Sequence, residues 1–278
     1  TYMIERMQVP RSPGSFAVTP RDSFMRRLWS RTPLAGTVTI LAIVGVWQFL
    51  SSTGLVNNLL LPSPGAVLSA LVAGTLDGSV LRNTLASLNR VVIGFGAAIL
   101  VGVPFGLFLG RNKLAKQFLG PVTEVVRPIP PIAWIPLAIL WFGIGSGSAY
   151  FIVFLAAFFP IFTNAQVAAN VIEPIHINAA RCLGASRRMI VMNVIVPSAL
   201  PVVLGGIRTG LGISWMAVVA AELVAAQSGL GYWIALSRLQ LQSENVVGGM
   251  VAIGIVGVLM TTIMGRVERW LTPWRRGK

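Results

Sequence analysis

Four charged side chains stand inside otherwise apolar stretches of the sequence: Arg90, Glu124, Arg208 and Glu222. A charge held in lipid is costly, so residues of this kind are paired or functional. The chemistry open to them is ion pairing or the holding of an anion. By depth alone, Arg90 can pair with Glu222, and Arg208 can reach a substrate path or Glu124. Covalent chemistry has no candidate. His176 is the only histidine and reads as a polar surface residue. Cys182 is the only cysteine, which excludes an intrachain disulfide. No carboxylate pair, metal-ligand cluster or Gly-x4-Gly-Lys-Ser/Thr phosphate loop occurs. No catalytic, cofactor-binding or metal site is therefore expected in this chain.

The setting of those charges comes from composition. The 278 residues carry 22 Lys+Arg against 8 Asp+Glu, a formal net charge of +14. Only 11% of residues are charged and 55% are hydrophobic, with a mean hydropathy of +0.77. A soluble domain has about 25% charged residues. The balance implies an integral membrane protein with its bases in loops, and excludes a soluble nucleic-acid binder, a disordered chain and a disulfide scaffold. The apolar runs are continuous rather than alternating, which favours helices over a barrel.

Six spans are expected, at residues 34–51, 85–110, 119–142, 149–169, 200–221 and 246–265, each near the 20 residues a crossing needs. Eighteen of the 22 bases fall in the N-terminal tail, the stretches after the second and fourth spans, and the C-terminus. The positive-inside rule then places both termini in the cytoplasm. The expected organisation is a tail at 1–33, a six-helix membrane domain at 34–265 and a C-terminal tail at 266–278. The N-terminal tail, rich in arginine and proline, has no signal peptide.

Within the spans, Gly102, Gly106 and Gly110 recur at four-residue spacing, as do Gly206, Gly210 and Ser214. Small residues on one face let helices approach closely, within the chain or across a dimer. The third span begins Arg127-Pro-Ile-Pro-Pro-Ile-Ala-Trp-Ile-Pro136. Its prolines break the helix, giving either a hinge or a wall of a substrate path that carries Trp134 and Trp141. Asn164 is expected to hydrogen-bond between helices. Trp215 is either path wall or packing.

The loop 173–197 is longer than a connector. Ala179, Ala180 and Leu183 can share one small apolar face that Gly184 ends, a surface suited to docking in a partner's groove. It resembles the EAA loop of bacterial binding-protein-dependent ABC importer permeases: Glu-Ala-Ala, three residues, Gly, nine residues, Ile-x-Leu-Pro. Ala179, Ala180, Gly184, Val194, Val196 and Pro197 stand at the matching positions. Asn178 replaces the glutamate, and Cys182 is a small residue of the same helix. Leu61-Pro-Ser-Pro64, Ser87-Leu-Asn-Arg90, the proline-rich start of span three, Trp141-Phe-Gly-Ile-Gly145, Ala220-Ala-Glu222 and Ser228-Gly-Leu-Gly231 are similar to the nitrate/sulfonate/taurine/bicarbonate branch.

That resemblance implies an all-α membrane protein with six transmembrane helices of the type I ABC importer permease fold and a cytoplasmic coupling helix. It implies a bacterial inner membrane location, a second permease copy, two cytoplasmic ATP-binding subunits that hold ATP and Mg, and an extracytoplasmic substrate-binding protein. The substrate would be a small anion. ATPase coupling would fall to Asn178, Ala179, Ala180, Cys182, Leu183, Gly184 and Pro197. The alternative is a self-contained secondary anion carrier.

Overall fold

The computed structural model describes residues 33–53, 57, 59–171 and 174–275, excluding the side chains of 33–35, 174 and 275. The N-terminal arginines through Arg31, together with Glu173, Arg276 and Lys278, lie outside the described residues. Among the described residues the regular structure is helical.

Helix α1 spans Pro33–Ser52 and α2 spans Pro64–Leu76. Ser63 caps α2, its Oγ accepting the Ala66 N–H at 3.2 Å, with Pro64 in the first turn. That explains the Leu61-Pro-Ser-Pro64 motif as a helix start, because proline there gives up a donor that would be unpaired anyway. Helix α3 (Ser79–Arg111) begins well before the expected span. Asn112 caps α4 (Lys113–Val126) through the Ala115 N–H. A 3-10 turn at Pro131–Trp134 leads into α5 (Ile135–Phe142). Then follow α6 (Ser146–Ala168), α7 (Pro174–Cys182), α8 (Arg187–Ala225), α9 (Leu230–Leu239) and α10 (Ser243–Leu271).

Four helices, α3, α6, α8 and α10, are long and apolar enough to cross a membrane. The expected third span is not one helix: Lys113–Val126 and Pro131–Phe142 meet at 87°. Four prolines in nine residues remove the backbone donors that would carry the helix through. Counted as one broken span, the bent pair brings the number to five, and the stretch Gly36–Ser52 of α1 is a shorter apolar helix. Helix length alone thus supports four or five crossings where the sequence reading has six.

The core is built around α6. Ile152, Val153, Ala157, Ile161, Ala165 and Ala168 on it are fully buried. Both small-residue stripes clasp this helix. A Cβ on Gly102 would stand 3.2 Å from Ile161, and one on Gly110 would stand 2.6 Å from Ala169. On the other side, a Cβ on Gly210 would lie 3.1 Å from the Ala157 carbonyl. The stripes serve packing within the chain. The outward faces of α1, α3 and α10 stay apolar, with Leu41, Leu100 and Val258 exposed, as a lipid-facing surface requires.

Candidate translocation path and coupling surface

The densest polar cluster joins α3, α6, α8 and the start of α9. Arg90 Nη1 lies 2.7 Å from Glu222 Oε1, and both residues are buried. The same Nη1 donates to the Ser228 carbonyl, and Nη2 donates to Ser228 Oγ, each at 2.7 Å. Ser146 Oγ accepts weaker bonds from Nε and Nη2. Glu222 Oε2 accepts from Ser87 Oγ at 2.8 Å and from the Gly231 N–H at 3.0 Å. Ser87 Oγ in turn accepts the Leu230 N–H. Gly229 holds φ +108°, and a Cβ there would run into the Glu222 carboxylate. The guanidinium N–H groups and both carboxylate oxygens are engaged, which is the condition for a buried ion pair to persist. Three of the motifs scattered along the sequence, at 87–90, 220–222 and 228–231, therefore meet at one ion pair, with Ser146 beside them. Ser87, Ser146 and Ser228 are part of it, although sequence reasoning did not select them. The paired and buried geometry makes this cluster a clamp rather than a binding site.

Arg208 and Glu124 are not partners. Arg208 Nη1 lies 3.4 Å from Glu268 Oε2, near the end of α10, and its side chain is 57% exposed. The reason is that α8 is one helix from Arg187 onward. Position 208 therefore lies level with the far end of α10. Trp215 is nearly buried between α8 and α10 and donates to the Ile253 carbonyl at 3.2 Å. Its ring packs against Gly257 and borders a cavity shared with Leu211. Asn164 Nδ2 donates to the Pro160 carbonyl of its own helix at 2.9 Å rather than to a neighbour. Gly206 presses against Asn164, so its amide has no room to swing across.

Two cavities flank the bend between α4 and α5. The first, of about 350 Å³, is lined by Pro131, Phe159, Asn164, Thr209 and Ile213, with Arg127 at its edge. The second, of about 600 Å³, is lined by Lys113, Lys116, Glu124, Arg127, Thr163 and Gln166. Arg127, Phe159 and Thr163 belong to both, so the two form one groove along α6. Sequence reading counted Arg127 only as a topology base. Its place directly before the proline run was the available sign that it sits at the break. Trp134 packs behind the bend against Ile135 and Ala138, and its Nε1 is buried with no hydrogen-bond partner among the described residues.

The loop resembling the EAA pattern forms a separate surface. Asn178, Ala179, Cys182, Leu183 and Gly184 are exposed, and Ala180 is half-buried. Gly184 holds φ +76°. The Gly184 N–H reaches the Arg181 carbonyl at 2.9 Å, and the Ala185 N–H reaches the Ala180 carbonyl at 3.0 Å. Those two bonds make a Schellman cap, which requires a left-handed residue at position 184. Ser186 then caps the next helix through the Met189 N–H. Val191–Ile195 is a π-helical stretch, in which the Val196 N–H bonds back to Val191. Pro197 follows it and cannot donate to the Asn193 carbonyl, so the helix takes its wider turn just there. This small exposed helix is thus joined at its C-terminal end, through one fixed cap, to the long helix α8.

The fold is that of a known transporter. The chain superposes on an inward-facing structure of the MetNI methionine ABC transporter with a TM-score of 0.60. That match covers 71% of this chain and 98% of that one at 22% identity, and shows a type I ABC importer permease fold. The chain is 36% identical over 259 residues to the taurine transport system permease protein TauC of Escherichia coli, covering 90% of this chain and 94% of that one. It is 32% identical over 255 residues to the nitrate import permease protein NrtB of a Synechocystis strain, with 88% and 92% covered. Residues 102–277 match the family described as the inner membrane component of binding-protein-dependent transport systems. A family defined by dependence on a separate binding protein leaves no place for the self-contained carrier. With apolar spanning helices, an exposed helix in the loop that resembles the EAA pattern and relatives along nearly its whole length, this chain belongs to the binding-protein-dependent transport system inner membrane component family.

Proposed function

We propose that two copies of this chain line the path of an ATP-driven importer for a small oxyanion of the sulfonate, nitrate or bicarbonate class. The observation that carries this reading is the groove beside the 87° bend. It is open along one side of the chain, so a single copy supplies only part of an enclosure. Broken helices are tolerated at membrane depth where they line such a cavity. In the bacterial inner membrane, both termini and α7 would face the cytoplasm, as the basic loops imply.

Two ATPase subunits would grip α7, which carries exposed Ile175, Leu183 and Asn178 for a groove to receive. ATP and Mg are handled by those subunits. Nucleotide binding would move α7, and the continuous helix α8 would pass that motion to Gly206 and Gly210 against α6. A binding protein would load the anion from the other side. The relatives named for taurine and nitrate support an anionic substrate.

The test is ATP hydrolysis by the complex reconstituted with its ATPase and binding protein. Taurine, alkanesulfonates, nitrate and bicarbonate are added in turn. Stimulation by one of them is expected; no response to any would overturn the proposed substrate class.

A further inference from the structure

The larger of the two cavities has an electrostatic character that the transport reading does not require. Lys113, Lys116 and Arg127 line it against one carboxylate, Glu124. Among the described residues none of the three bases has an ion pair, while Arg90 and Arg208 both do. The polar groups of the two cavities also differ in how they are used. In the smaller cavity, Thr209 Oγ1 donates to the Gly205 carbonyl and Asn164 to the Pro160 carbonyl. In the larger one, Thr123 Oγ1 donates to the Gly120 carbonyl, but the Thr163 hydroxyl, which the smaller cavity shares, and the Gln166 side-chain amide make no hydrogen bond to a described residue, so their donors remain available. Phe159 and Phe162 form an apolar wall behind them. Unpaired bases beside free neutral donors and an apolar wall are the chemistry that holds a small oxyanion with an organic tail.

We infer that Lys113, Lys116 and Arg127, with Thr163 and Gln166, form a vestibule that receives the imported oxyanion as it leaves the path. The inference rests on the importer reading for its direction of travel but not for its charge. Arg127 is the specificity-determining member, because it alone of the three bases borders both cavities. The lysines at the start of α4 extend the positive field outward, and the binding must stay weak enough for release.

The test uses the permease in complex with its ATPase subunits. Cys182→Ser removes the only native thiol, and Thr163→Cys places a reporter on the wall shared by the two cavities. Labelling rates are compared for an anionic sulfonatoethyl and a cationic trimethylammonioethyl methanethiosulfonate, each relative to a free thiol. The anionic reagent is expected to be favoured. Arg127→Gln should lower that preference roughly fivefold, Arg127→Lys should preserve it, Glu124→Gln should raise it and high salt should flatten it. Free methanesulfonate should slow the labelling. A preference near one, a cationic preference, no labelling by either reagent, or indifference to Arg127→Gln each overturns the vestibule. Protection by phosphatidylglycerol instead of methanesulfonate would put a lipid headgroup there and overturn the assignment to substrate. ATP-driven uptake of the anion is measured in parallel on the complex with the unsubstituted permease. A preference without uptake refutes the importer reading alone, and uptake without a preference refutes the vestibule alone.

Discussion

Gly94 on α3 leaves room for Val153 on α6 and for nothing more. A Cβ at position 94 would stand 2.7 Å from Val153 Cγ1 and 2.8 Å from the Tyr150 carbonyl. Val153 is fully buried, so it has nowhere to move. Gly94→Leu should cost about 1–3 kcal/mol by overpacking, read as a lowered thermal midpoint in detergent. Gly96, two residues on, has nothing within 4 Å of its Cβ position. Gly96→Leu should leave the midpoint unchanged. Equal losses at the two sites would mean that α3 and α6 do not pack this way.

Glu222→Gln should be the most damaging single change in the buried clamp. It leaves the Arg90 guanidinium without its counter-charge, a loss of about 3–5 kcal/mol. Combining it with Arg90→Met should recover part of that loss, because no unpaired charge then remains. A double-mutant cycle on thermal unfolding measures the coupling. Additive losses would show that the two side chains do not share an ion pair.

Arg208→Leu gives the opposite expectation. The Arg208–Glu268 pair is long and lies at the surface of the chain, and exposed pairs contribute about 0–1 kcal/mol. Normal yield, normal stability and normal uptake are expected. Lost uptake with normal assembly would return Arg208 to the substrate path.

Gly184→Val should separate two steps that normally run together. A β-branched residue is strained at φ +76°, so the Schellman cap opens and the end of α7 loses its direction. The membrane bundle does not depend on this cap. The permease should still fold and dimerise, while co-purification of the ATPase subunits falls severalfold. Intact ATPase binding with intact uptake would contradict a coupling role for α7.

Much of this was legible in the sequence, for reasons that differ from residue to residue. The glycine spacing marked the helix faces that pack, because only a bare Cα lets backbones approach so closely. The loop around Gly184 was legible because its cap needs one backbone conformation. Arg90 and Glu222 were matched by depth, since each is too costly to leave alone in lipid. What one dimension conceals is direction. The prolines after Arg127 announced a break but not its 87° angle. The partner of Arg208 depended on how far α8 extends before the apolar run begins, which hydropathy does not register. Asn164 was read as reaching outward because the carbonyl it bonds lies four residues back, on its own helix. The α2 helix lay unread because its apolar stretch is too short to resemble a crossing.

The clamp also sets a condition on how the protein is made. Arg90 precedes Glu222 by 132 residues. At synthesis rates of about 5–20 residues per second, α3 reaches the membrane roughly 7–26 s before its counter-charge exists. Through that interval α3 carries a bare guanidinium, at an insertion cost of up to about 3 kcal/mol for an arginine near the helix centre. Ser87, one turn earlier on α3, cannot neutralise it. Until α8 arrives, the translocon and the lipid headgroups are the places where that charge costs least. Closure of the Arg90–Glu222 pair then becomes the event that commits the bundle to its final arrangement.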